Sequence, residues 1–217
     1  MIKVSNLNKK FGKKVVYNDV NFEVEKGVVY GLVGYNGAGK STLFKMICGL
    51  SSIDSGRIEN SFSGLEFIDD KSSLIGITIN DMFEYYNTLY RNFDSLVFME
   101  KLKSLELTLD NEIEQLSKGQ KSLVRLYFAI CSEAKLILID EIFDGLDVIN
   151  RELISKEMIT DETFERTYIV IDHNLHDLEN LCEKFMYVSH TDIKVLNDPS
   201  EIYDNHFSIN SWFKEEL

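Results

Sequence analysis

The apolar run VVYGLV (Val28–Val33) leads directly into GYNGAGKST (Gly34–Thr42), and together they restrict this chain more than anything else in it. A continuous apolar run with β-branched residues reads as a strand buried on both faces. LFKMICGL, which follows, carries a helical pattern. Strand, GxxxxGK(S/T) loop and helix form the P-loop arrangement, in which successive backbone N–H groups wrap a phosphate chain. Glycines are needed because a Cβ would block the approach. Gly34, Asn36, Gly37, Ala38, Gly39 and Thr42 then belong to the phosphate cradle. Lys40 would neutralise the β- and γ-phosphates, and Ser41 would hold Mg²⁺ through its hydroxyl. The expected ligand is a nucleoside triphosphate.

Composition narrows the rest. The single Pro and the lack of low-complexity runs leave no candidate linker in 217 residues, so one domain is expected. A formal net charge of −13 argues against a general nucleic-acid surface, which needs a basic footprint. The first residues lack the apolar core of a signal peptide, and no stretch approaches the roughly 18 apolar residues of a membrane span. Cys48, Cys131 and Cys182 are scattered without metal spacing and read as buried small hydrophobes in a reducing compartment.

Two further strands end in chemistry. KLILIDE (Lys135–Glu141) is an apolar run closing on adjacent carboxylates. In a P-loop protein an acid at a strand's carboxyl end is where Mg²⁺ is held, which assigns Asp140 to the metal. Glu141, one residue on, could orient and polarise the attacking water as general base. TYIVI, in the stretch Thr167–Leu178, brings His173 to the same edge as a γ-phosphate contact, while His176 one turn later should face solvent. LSKGQ (Leu116–Gln120) opens another helix, SLVRLYFAI, so the chain holds a second candidate anion site at a helix N-terminus.

The order GYNGAGKST, LSKGQ, LILIDE, FDGLD and His173 resembles the ATP-binding subunit of ABC (ATP-binding cassette) transporters over nearly the whole chain. LSKGQ looks like the family signature LSGGQ with Lys118 in place of a glycine, and FDGLD (Phe143–Asp147) looks like the D-loop. The resemblance implies a RecA-like α/β P-loop core, a small antiparallel β-subdomain and an inserted helical subdomain. The core and β-region would occupy about 1–76 and 135–217, the helices about 78–134. IKVSNL, NFEVE and roughly Arg57–Ile68 would form the antiparallel part. The tail from Pro199 reads as a closing helix.

The resemblance further implies two cassettes paired head to tail. Ser117, Gly119 and Gln120 of one copy would then cap the ATP on the other's P-loop, with Asp147 in the adjoining D-loop. Phe11 would stack on adenine, or alternatively pack the β-region. The partners would be a second ABC ATPase chain, identical or a paralogue, and an integral membrane transporter subunit. The place of work would be cytoplasmic, peripheral on the inner face of the membrane. A short chain without accessory domain looks most like export-type (ABC-2-like) cassettes. A weakly hydrolysing regulatory cassette or a soluble non-transport ABC ATPase is the other reading.

One departure stands out. The family usually places a Mg²⁺-contacting Gln before the helical region, but no Gln occurs between Gly34 and Gln115. Asp69 aligns there, with Asp70 one position away, and a carboxylate can ligate Mg²⁺ but cannot donate an amide hydrogen bond.

Overall fold

The computed structural model describes residues 1–69, 74–160 and 166–196. Two strands joined by a tight turn at Gly12 (φ 58°), β1 (Ile2–Phe11) and β2 (Lys14–Val24), pair antiparallel, and β4 (Ser55–Asn60) pairs with the other edge of β1. This gives a three-stranded sheet in the order β2-β1-β4.

The second sheet has the order β5-β6-β7-β3-β8-β9 and contains β5 (Leu65–Asp69), β6 (Leu136–Asp140), β7 (Thr167–Ile171), β3 (Val29–Val33), β8 (Lys184–Ser189) and β9 (Asp192–Leu196). All its pairings are parallel except β8 with β9. Here the structure corrects an expectation: Leu65–Ile68 does not join the antiparallel region but runs parallel to β6 at the edge of the core sheet. An edge strand is only partly covered, so GLEFI shows the mixed pattern of a half-exposed strand rather than a continuous apolar run.

Alternate residues explain the layering, because successive side chains of a strand point to opposite faces. Leu136 and Leu138 of β6 enter a core between the two sheets, shared with Tyr17, Leu32, Phe44 and Met186. Ile137 and Ile139 enter the opposite core, against the helices. The first core also holds α1 (Lys40–Ile47). The second holds α4 (Lys118–Cys131), α5 (Val148–Ile159) and α6 (Leu175–Leu181), and beyond them α2 (Ile79–Leu89) and α3 (Ser95–Ser104). The helical side is rich in aromatics: Tyr86, Phe93, Phe98 and Phe128 pack together with ring centroids 4.3–6.2 Å apart. Tyr85 and Leu89 stay exposed.

Register sets the site. Asp69 lies opposite Asp140, and Asp140 opposite Ile171, so the carboxyl ends of β5, β6 and β7 form one row. In open α/β sheets ligands bind outside that edge. Asp70 and the tail from Pro199 lie outside the described residues.

Candidate functional site

The P-loop connects β3 to α1 through three glycines in the left-handed region, Gly34 (φ 154°), Gly37 (φ 81°) and Gly39 (φ 115°). Two of them also have no room for a side chain. A Cβ on Gly39 would come within 2.6 Å of Val16 Cγ1, and one on Gly34 within 2.9 Å of the Val188 carbonyl oxygen. Gly39 is the N-cap of α1 and supplies no side-chain cap, which leaves the first turn's amides to a ligand. Lys40 is only 6% exposed, and its Nζ donates to the carbonyls of Gly34 (2.6 Å) and Tyr35 (3.2 Å). Burial holds its ammonium below the ordinary lysine value, while the Glu141 and Asp140 carboxylates pull the other way.

A cleft of about 360 Å³ opens over this loop, lined by Phe11, Lys14, Val16, Asn36, Gly37, Gly39, Lys40, Ser41, Thr42 and Glu141. Phe11 is 54% exposed at its mouth, more than a ring serving only to pack the β-region would be. Lys14, which the sequence reading passed over, faces Phe11 across the β1–β2 turn and donates from Nζ to the Gly37 carbonyl at 3.2 Å. Its position three residues after Phe11 was the available signal.

Asp140 is buried at the end of β6. Glu141, immediately beyond, has φ 60°, and its N–H donates to the Ile171 carbonyl at 3.0 Å. A non-glycine residue held there carries roughly 1–3 kcal/mol of strain, a feature that clusters at functional sites. The twist turns Glu141 into the cleft, where Oε1 meets His173 Nε2 at 3.0 Å. Asp172, just before His173, was also missed: it is 5% exposed, Oδ1 accepts the Asn174 N–H at 2.6 Å, and burial pushes its carboxyl above the usual range. His176 is exposed, as expected.

Asp69 sits next to Asp140 in the row but does not line the cleft; its backbone carbonyl accepts from Arg125 Nη1 at 2.7 Å. Ser41 and the two aspartates supply hard oxygen donors of the kind Mg²⁺ takes alongside phosphates and water. Among the described residues no group of three His, Cys, Asp or Glu gathers to hold a metal on its own. All three cysteines are free, and burial pushes the thiols up, that of Cys131 to about 12.

The LSKGQ turn does not line the cleft. Ser117 is the N-cap of α4 and closes a capping box with Gln120: its Oγ accepts the Gln120 N–H (3.2 Å), and Gln120 Oε1 accepts the Ser117 N–H (3.0 Å). Gly119 is buried so tightly on Asn150 that a Cβ would lie 2.4 Å from its Cγ. Asn150 in turn donates through N and Nδ2 to Asp147, the N-cap of α5, at 2.9 and 2.8 Å, and these bonds hold the Asp147 carboxyl below its usual value. Lys118 Nζ lies 3.6 Å from Asp144 Oδ2. Ser117, Gly119, Gln120 and Asp147 therefore form one cluster, and none of them lines the P-loop cleft of the same chain.

A two-sheet α/β fold with this P-loop and carboxylate row defines a nucleotide-binding cassette. Residues 17–144 match the sequence model of the ABC transporter family, and the chain belongs to that family. It is 30% identical to the lantibiotic transport ATP-binding protein SrtF of Streptococcus pyogenes, with 99% of each chain covered. It is 27% identical to the ABC transporter ATP-binding protein YtrB of Bacillus subtilis, covering 100% of this chain and 78% of that one. A solved ATP-binding subunit of an ABC transporter superposes with a TM-score of 0.85 at 24% identity, covering 100% of this chain and 99% of that one. Relatives named for methionine and sulfate/thiosulfate import match as well. The chain is thus an ABC transporter ATP-binding subunit, in a family of ATPases coupled to transport. Among the described residues no helix is long and apolar enough to cross a membrane.

Proposed function

We propose that this chain hydrolyses ATP at a site completed by a second cassette and thereby drives a separate membrane-spanning subunit, in the export direction. The P-loop amides and Lys40 bind the phosphates, and Phe11 takes the adenine. Ser41 and Asp140 are the residues to hold Mg²⁺, with Asp69, beside Asp140 but outside the cleft lining, reaching it only through water; the ion when bound would neutralise the charge developing on the transferred phosphate. Glu141 accepts the proton of the attacking water, and His173 orients Glu141 and meets the γ-phosphate. The observation that carries this reading is the Glu141–His173 pair at 3.0 Å, with Glu141 turned into the Lys40 cleft.

Ser117, Gly119, Gln120 and Asp147 are not among the residues lining that cleft, which supports a partner chain as their target. The lantibiotic transport named for SrtF supports export, with work at the inner face of the cell membrane. Residues 78–134 are the helical insert, and a groove lined by Ile68 and Asp69 of β5, Met82 and Tyr86 of α2 and Arg125 of α4 is the place for the membrane subunit. Hydrolysis, by removing the shared phosphate, reopens the pair and switches the membrane partner.

The test is the solution mass of Glu141→Gln protein with and without Mg-ATP. The expected result is a dimer with Mg-ATP only, and turnover lowered about 10²–10⁴-fold, the range for a lost general base. A monomer in both conditions, with ATP binding confirmed, would overturn the homodimer. Turnover near the parent's would move the base elsewhere.

A further inference from the structure

We propose that Lys9 is a positioning residue for the nucleobase: its buried ammonium braces the Phe11 ring and so raises affinity for the base half of the ligand. The inference rests on the reading of the P-loop cleft as a nucleotide site.

Lys9 and Phe11 are two apart on β1 and share a face. The β1–β2 register slips on both sides of Lys9, a local bulge that adds twist beside the turn. Lys9 is 6% exposed, an unusual place for lysine, because a buried ammonium is costly unless it is paired. Its Nζ donates to the Ser52 carbonyl at 2.6 Å and lies 3.8 Å from Asp54 Oδ1. The Phe11 ring also lies against it, its centroid 4.7 Å from Nζ, within cation–π distance. The ring is otherwise 54% exposed at the mouth of the cleft. An exposed ring at a hairpin tip would sample several rotamers and lose that freedom when a base stacks on it. The ammonium removes part of this cost beforehand, which is preorganisation.

A purely structural role is the competing account, since Lys9 also ties β1 to the 52–54 segment, and Asp54 accepts the Lys10 N–H at 2.7 Å. The two accounts differ in what they do to base and phosphate. The experiment measures affinities of ADP and inorganic tripolyphosphate by calorimetry for the parent, Lys9→Met, Phe11→Ala and the double variant.

Loss of the brace should weaken ADP about three- to tenfold, the scale of one partly desolvated cation–π contact, and leave tripolyphosphate within about twofold. In the Phe11→Ala background the Lys9 effect should vanish. Lys9→Gln, whose amide can still reach toward the Ser52 carbonyl, replaces Lys9→Met if the latter does not fold, and the same ratio is read. Equal losses for both probes, no loss for either, or a Lys9 effect that persists without the ring would overturn the proposal. Phe11→Ala with unchanged ADP affinity would overturn the platform itself, while tripolyphosphate binding would still report on the P-loop.

Discussion

Two helix N-termini of the chain are proposed to meet phosphate, and they are built in opposite ways. At α1 the N-cap is Gly39, no side chain caps the first turn, and a buried lysine waits beside it. At α4 Ser117 and Gln120 already cap each other, and Gly119 is packed against Asn150. The first terminus carries its costs in the resting protein: glycines that lose their backbone freedom, a desolvated ammonium and the strained Glu141. The second is self-satisfied and cheap to leave empty, so it can wait for a phosphate that arrives from elsewhere. An asymmetric pair of this kind suits a site whose halves meet only during the cycle.

The comparison breaks most easily at α1. Lys40→Ala removes charge-assisted hydrogen bonds to the phosphates, each worth roughly 1.5–3 kcal/mol, so ATP and ADP affinity should both fall about 10²-fold or more. Calorimetric titration checks it, and an affinity within tenfold of the parent would contradict the cradle assignment. Ser117→Ala should act differently. It removes an N-cap, costing about 1 kcal/mol of stability, and one hydroxyl donor to the proposed partner phosphate. ADP binding to the isolated chain should stay within about twofold, while ATP-driven association weakens about tenfold, the value of one hydrogen bond to a charged group. If ADP affinity fell with it, the LSKGQ turn would belong to the same chain's cleft and the asymmetry would be an illusion.

How legible each half was follows from the same physics. The P-loop, LILIDE and TYIVI could be read because central parallel strands are continuous apolar runs, and their carboxyl ends carry the chemistry in adjacent residues. Asp140, Glu141 and His173 fell where their strands end. Leu65–Ile68 was misplaced because an edge strand has a mixed pattern and its partner β6 lies far away in sequence. Lys9 and Asn150 were invisible for another reason: nothing in a sequence says that a lysine is 6% exposed or that an asparagine fills the space a glycine leaves. Glu141's left-handed backbone likewise has no glycine to announce it.

Asp172 sharpens the contrast with the smallest effect. It is one more buried charge on the expensive side of the molecule, with its Oδ2 lacking a hydrogen-bond partner among the described residues. Burial raises its carboxyl above the unfolded value. Protonation therefore favours the fold: the contribution is whole below the unfolded pKa and is lost as pH rises through the folded one. Wherever the side chain is ionised, its burial is a net cost. Asp172→Asn keeps an oxygen for the Asn174 N–H and removes the charge, so it should raise stability at pH 7 by about 0.5–1 kcal/mol. In urea titrations that gain should shrink as pH falls toward 4. A variant less stable than the parent at pH 7 would mean that the ionised oxygen is compensated, and that this buried carboxylate is not among the costs of the P-loop side.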